Sequence, residues 1–198
     1  MSKFPKESFR SDKWLLPNWI SYFRILFAWA PACLLVIDFR DETLRWWATG
    51  VFVFLAVTDW VDGFVARRWN MRSKWGEYVD PFGDKILVVT SLLALGVLYF
   101  DHPLWWVLAV SVTLIVLREA VLFVQMNRRY ELAQPPTMTG KVKTVFQMTM
   151  IAAWMAPFHG AVAAGFILVT TVLALIWTFA SWRSYYKAFV AGVPVLKV

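Results

Sequence analysis

The chain has 198 residues, 60% of them hydrophobic and 17% charged, with a net charge of +7 and a mean hydropathy of +0.56. A soluble domain of this size carries about a quarter charged residues, so the composition excludes an ordinary water-exposed globule. One cysteine, Cys33, excludes an intrachain disulfide framework.

Taken in chain order, residues 1–17 are mostly polar and charged and read as a cytoplasmic N-terminal segment; the apolar stretch that follows is too long for a signal peptide. Six apolar segments then predict six helices, over 18–38, 46–66, 84–100, 103–126, 142–157 and 160–182. The strongest signal lies at the end: residues 144–182 contain no Asp, Glu, Lys or Arg, and Pro157-Phe158-His159-Gly160 interrupts them as a turn. No internal repeat or low-complexity linker appears, so the expectation is a single domain over 1–198, with a six-helix transmembrane bundle over 18–183.

Six crossings place both termini on one side. Threaded this way, 18 of the 20 Lys and Arg residues fall on that side, and Arg40 and Arg45 alone on the other. The positive-inside rule makes the richer side, with both termini, cytoplasmic. Trp46-Trp47 and Trp105-Trp106 then begin helices at the opposite face, where aromatic belts form. The positive charge is accounted for by topology and lipid headgroups, without nucleic acid. The expected location is the cell membrane, multi-pass, with lipid as a neighbour on all sides.

Charges enter the cytoplasmic ends of nearly every helix: Arg24, Asp59, Asp62, Asp84, Lys85 and Arg118. Each costs at least ~2.5 kcal/mol in lipid. Arg and Lys can snorkel, but the short Asp side chain cannot. Structural ion pairs are one explanation, and a polar cavity open to the cytoplasm is the one preferred here.

Asp59 and Asp62 are three apart on the second segment and share a helix face. Asp80 and Asp84 are four apart where the third begins, and share another. The second segment runs toward the cytoplasm and the third leaves it, so both pairs belong to one membrane level. Four carboxylates at one level need protons or cations between them. Hard divalent ions such as Mg²⁺ suit such all-oxygen donors, and four carboxylates suit a two-metal centre for phosphoryl displacement. His102 and His159 fall at the opposite face, against a zinc site. Gly63 serves either the close approach of a ligand or tight helix packing. Arg67 and the basic loop to Lys74 suit phosphate, although positive-inside bias accounts for Arg68, Arg72 and Lys74. Gly76 relaxes the loop before the third helix.

Residues 59–84 read D-x2-D-G-x2-A-R-x8-G-x3-D-x3-D, with Asp59, Asp62, Gly63, Ala66, Arg67, Gly76, Asp80 and Asp84 in the eight fixed positions. This resembles the signature of the CDP-alcohol phosphotransferases, six-helix membrane enzymes that move a phosphoalcohol or phosphatidyl group off CDP. The resemblance implies that the four aspartates hold two divalent cations and that Asp84 is also the general base for the attacking hydroxyl. It places Gly63, Arg67, Ser73 and Gly76 against the CDP group. Pro17-Asn18 is similar to the family's opening of helix one and would touch the nucleotide; read locally, it is a helix entry. A homodimer is the form common in the family.

The acceptor rests on two later segments, LREA at 117–120 and TGKVKTVFQM at 139–148. Arg118, Lys141 and Lys143 are three cations suited to a dianionic phosphate, and Lys143 can equally snorkel. The pattern is similar to family members that join CDP-diacylglycerol to sn-glycerol 3-phosphate. Members that use phosphatidylglycerol carry a related segment, to which the ending SWRSYYKAF also fits loosely, and an inositol-phosphate acceptor is a third alternative. A divalent-cation transporter would place its acids near the midplane, in broken helices or between repeats, and none of these is visible.

Overall fold

A computed structural model describes the backbone over residues 16–68, 74–128 and 138–190, and side chains over 22–58, 83–121 and 139–183 together with Trp19, Val61 and Tyr186. All secondary structure among the described residues is helical: α1 Leu16–Phe27, α2 Ala30–Ile37, α3 Glu42–Arg68, α4 Lys74–Leu98, α5 Trp105–Arg128, α6 Met138–Met155 and α7 Ala161–Val190.

The first expected segment is thus two helices. Pro31 lies in the first turn of α2 and has no N–H to give the carbonyl of Phe27, so the α1 ladder stops there. The hydroxyl of Thr90 on α4 reaches the Ala28 carbonyl at 3.4 Å, while its shorter bond runs to Ile86 at 2.7 Å. The second segment begins earlier than its apolar run, because Asp41 caps it: its Oδ1 accepts from the N–H of Thr43 at 2.7 Å and of Leu44 at 3.4 Å. α4 begins ten residues before its expected start, at Lys74, and runs through Pro81.

The chain forms two compact units, Met1–Ala94 and Leu95–Val198. In the first, α1 and α2 pack on α3, and Leu35, Phe52, Leu55, Leu87 and Leu92 are buried. In the second, α7 packs on α6 and α5, around Leu108, Ile115, Met150, Ile151 and Trp154. Gly160, at φ +90°, makes the turn between α6 and α7, a left-handed conformation that a side chain would strain.

α7 has an inverted pattern. Its buried positions are Thr170, Thr171, Ala174, Thr178 and Ser181, small or hydroxylated, whereas Val162, Phe166, Val169, Val172, Ile176 and Phe179 are exposed. Water would favour the reverse; small and polar residues between helices with apolar residues outward is the pattern of packing in lipid. Among the described residues, the stretch Ala161–Arg183 is the one helix long and apolar enough to cross a bilayer by length and composition. The other long helices carry charges within their spans.

Several of the inward polar groups are paired. Trp154 Nε1 donates to Thr171 Oγ1 at 3.0 Å, and the Tyr99 hydroxyl donates to the Trp154 carbonyl at 2.7 Å. Replacing Tyr99 with Phe removes that donor and is expected to destabilise the protein by about 1 kcal/mol. Thermal unfolding in detergent should show the loss as a lowered Tm, and an unchanged Tm would remove the bond from the stabilising set.

Candidate active site

The signature residues lie on two helices of the first unit. Asp59, Asp62, Gly63 and Arg67 belong to α3, and Gly76, Asp80 and Asp84 to α4. Pro17 and Asn18 stand in the first turn of α1. Gly76 falls inside the first turn of α4 and not in the loop expected to precede it, because that helix starts at Lys74. Ser73, and the side chains of Pro17, Asn18, Asp59, Asp62, Arg67 and Asp80, lie outside the described residues, as do the surroundings of Gly63 and Gly76. The backbone carries Asp59 and Asp62 one turn apart on a continuous helix, and Asp80 and Asp84 likewise. Each pair thus shares a face, and a donor set made only of carboxylate oxygens fits hard divalent cations.

Asp84 has a neighbour that the sequence did not reveal. Arg24, on α1, is wholly buried, and its Nε lies 3.6 Å from Asp84 Oδ1; Asp84 itself is 29% exposed. A buried guanidinium is tolerable only beside an anion. The seat for it is made by Gly83, the residue before Asp84. A β-carbon there would stand 2.9 Å from Arg24 Nε and 3.3 Å from Ile25 Cγ1. Counting Arg24 among the topological charges concealed this role; the available signal was a glycine abutting a signature aspartate.

An apolar groove of about 420 Å³ lies between α1 and α3, lined by Trp19, Phe23, Phe54, Val57, Thr58 and Val61. Thr58 and Val61 are the described residues of α3 that flank Asp59 in sequence.

The second unit holds a cluster built by three helices. Glu119 Oε1 on α5 accepts from Arg118 Nη1 at 2.6 Å and from Lys143 Nζ on α6 at 2.5 Å. Arg118 Nη2 donates to Ser181 Oγ on α7 at 2.8 Å. Arg118, Glu119, Lys143 and Ser181 are all buried. One turn deeper, Gln147 Nε2 donates to Thr178 Oγ1 at 3.0 Å. Of the three cations expected around an acceptor phosphate, the fold brings Arg118 and Lys143 together and leaves Lys141 exposed, two residues and about 200° around α6 from Lys143. Snorkelling is excluded for Lys143, since a snorkelling ammonium would be in water. Glu119, Gln147 and Ser181 carried no role in the sequence; Gln147, four residues after Lys143, was the legible one.

A model of the CDP-alcohol phosphatidyltransferase family matches residues 14–180. Curated proteins named CDP-diacylglycerol–glycerol-3-phosphate 3-phosphatidyltransferase are similar over most of their length. That of Yersinia pestis (strain Pestoides F) is 30% identical over 192 residues, covering 87% of this chain and 93% of the relative. That of Yersinia enterocolitica is 31% identical over 193 residues, with the same two shares. That of Salmonella paratyphi A is 33% identical over 145 residues, covering 71% and 69%.

The Gly83 seat is open to a direct test. Gly83→Ala forces the guanidinium or α1 to move and is expected to cost about 1–3 kcal/mol of stability. Gly50→Ala, on α3, meets nothing within 4 Å and should be neutral or stabilising by up to about 1 kcal/mol. Thermal unfolding of the two variants side by side checks this, and equal Tm values would show that Gly83 is not needed for space.

Proposed function

We propose that this chain, which belongs to the CDP-alcohol phosphatidyltransferase family, transfers the phosphatidyl group of CDP-diacylglycerol to sn-glycerol 3-phosphate and releases CMP. The acceptor is carried by one observation, the buried pair Arg118 and Lys143 on a single carboxylate, in a chain whose relatives are named for glycerol 3-phosphate. Two buried cations suit the dianion of a phosphomonoester better than the single charge of phosphatidylglycerol.

In this reading Asp59, Asp62, Asp80 and Asp84 hold two divalent cations, Mg²⁺ or Mn²⁺, which when bound supply Lewis acidity to the diphosphate. Gly63, Arg67, Ser73 and Gly76, with Pro17 and Asn18, hold the CDP moiety. Arg118 and Lys143 hold the acceptor's phosphate. Asp84 takes the proton of the acceptor's free hydroxyl, and that oxygen forms its bond to the phosphorus bearing diacylglycerol as the bond to CMP breaks. Arg24, its guanidinium 3.6 Å from Asp84 Oδ1, keeps Asp84 in one orientation for this. The groove beside Asp59 receives an acyl chain, so the lipid never leaves the bilayer. Six crossings with cytoplasmic termini, α1 and α2 together forming the first, put the acids and the basic residues on the side where CMP and glycerol 3-phosphate are found. The outward apolar face of α7 and the Lys/Arg asymmetry support that topology.

Purified protein in liposomes with CDP-diacylglycerol and Mn²⁺ would be offered glycerol 3-phosphate, phosphatidylglycerol or inositol phosphate in turn. CMP release is expected with the first; release with phosphatidylglycerol alone overturns the acceptor. Thermal stabilisation by CMP with Mg²⁺ is expected too, and its absence would favour cation transport. Asp84→Asn should lower kcat by at least about 100-fold; because it also takes away the anion beside Arg24, thermal unfolding of the variant accompanies the assay, and substantial residual turnover would remove Asp84 as base. Arg118→Ala should raise the KM for glycerol 3-phosphate about 10- to 100-fold while the KM for CDP-diacylglycerol stays near wild type.

A further inference from the structure

Two like charges buried side by side repel, so holding Arg118 beside Lys143 needs an anion between them. Neighbours in sequence diverge by about 100° around a helix, so Arg118 and Glu119 would normally point apart. Here the guanidinium folds back onto its neighbour's carboxylate at 2.6 Å. The same oxygen, Oε1, takes the Lys143 ammonium at 2.5 Å. Sharing one oxygen caps the separation of Arg118 Nη1 and Lys143 Nζ at about 5.1 Å, the two bond lengths end to end. At that spacing two donors can grip a single phosphate group. The other arm of the fork is fixed by a different helix, through Nη2 and Ser181 Oγ at 2.8 Å. Arg118 is therefore held at both terminal nitrogens, one by α5 and one by α7, and Lys143 arrives from α6.

We infer that Glu119, assisted by Ser181, is the positioning residue of the acceptor-phosphate site, setting the spacing and direction of Arg118 and Lys143 without touching the reacting atoms. The inference rests on the reading that those two cations bind the acceptor phosphate. Its charge logic is consistent with a phosphomonoester: two cations and one carboxylate leave one net positive charge, so the cluster is tolerable when empty and still attracts a dianion. Removing the carboxylate leaves more positive charge but no fixed geometry. Charge alone would then tighten acceptor binding, and geometry would weaken it. The sign of the change separates the two.

The test is steady-state kinetics of Glu119→Gln in liposomes with Mn²⁺, varying glycerol 3-phosphate and CDP-diacylglycerol separately. The KM for glycerol 3-phosphate is expected to rise at least about 10-fold, with the KM for CDP-diacylglycerol within about two-fold. Glu119→Asp, which keeps the charge on a shorter arm, should recover part of the loss. An unchanged KM for glycerol 3-phosphate overturns the role, and a lowered one makes Glu119 a competitor of the phosphate. Arg118→Ala distinguishes the two levels of failure. If it raises that KM and Glu119→Gln does not, the phosphate site stands and the positioning role falls; if neither does, the phosphate site falls as well. Should Glu119→Gln not fold, Ser181→Ala keeps the carboxylate and is expected to raise the same KM about 3-fold; a wild-type KM there would also overturn the proposal.

Discussion

A charge buried among apolar helices has to meet its opposite within the reach of its own side chain, or the helix carrying it cannot stay where it is. Among the described residues this protein meets that condition twice. In the first unit Arg24 lies against Asp84, and in the second Arg118 and Lys143 lie on Glu119. Arg24 with Asp84 joins α1 to α4, and Lys143 with Glu119 joins α6 to α5, while Arg118 reaches Glu119 within α5. The pairings therefore do more than neutralise charge. They specify which helices are neighbours and at what height, in a setting where one apolar surface is much like another.

The two clusters solve the problem with different means. Around Arg24 the fold makes room by omission, with a glycine where any other residue would press on the guanidinium. Around Glu119 it adds partners, spending a serine from a third helix on the second nitrogen of the fork. The first arrangement suits a carboxylate that has to serve another ligand as well. The second suits cations whose direction matters more than their number.

What the sequence made legible was local. The aspartates fall on helices at the spacings read from the chain, and the turn at 157–160 lies where Pro and Gly announce it. Helix starts were missed where a cap or early polar turns outweighed hydropathy. Asp41 opens α3 ahead of its apolar run, and α4 takes in Gly76, which read as loop. Pro31 was passed over because the residues around it are uniformly apolar, although its missing N–H ends α1. The pairings were not legible at all. Arg24 with Asp84, and Lys143 with Glu119, join positions 60 and 24 residues apart, and a charge in one chain names no partner. The same limit explains Lys141, grouped with Lys143 by proximity and separated from it by helical rotation.

The turn at Gly160 has a reach that its position conceals. Trp154 meets Thr171, and seven residues back along α6 and seven forward along α7, Gln147 meets Thr178. The two helices are thus paired like the teeth of a zip whose slider is the short link between Met155 and Ala161. If α7 keeps its register on that link, one residue more or fewer there slides it by ~1.5 Å and turns it by ~100°, taking Ser181 away from Arg118 at the far end of the hairpin. Loop length at one end of the hairpin is in this way a dimension of the basic cluster at the other.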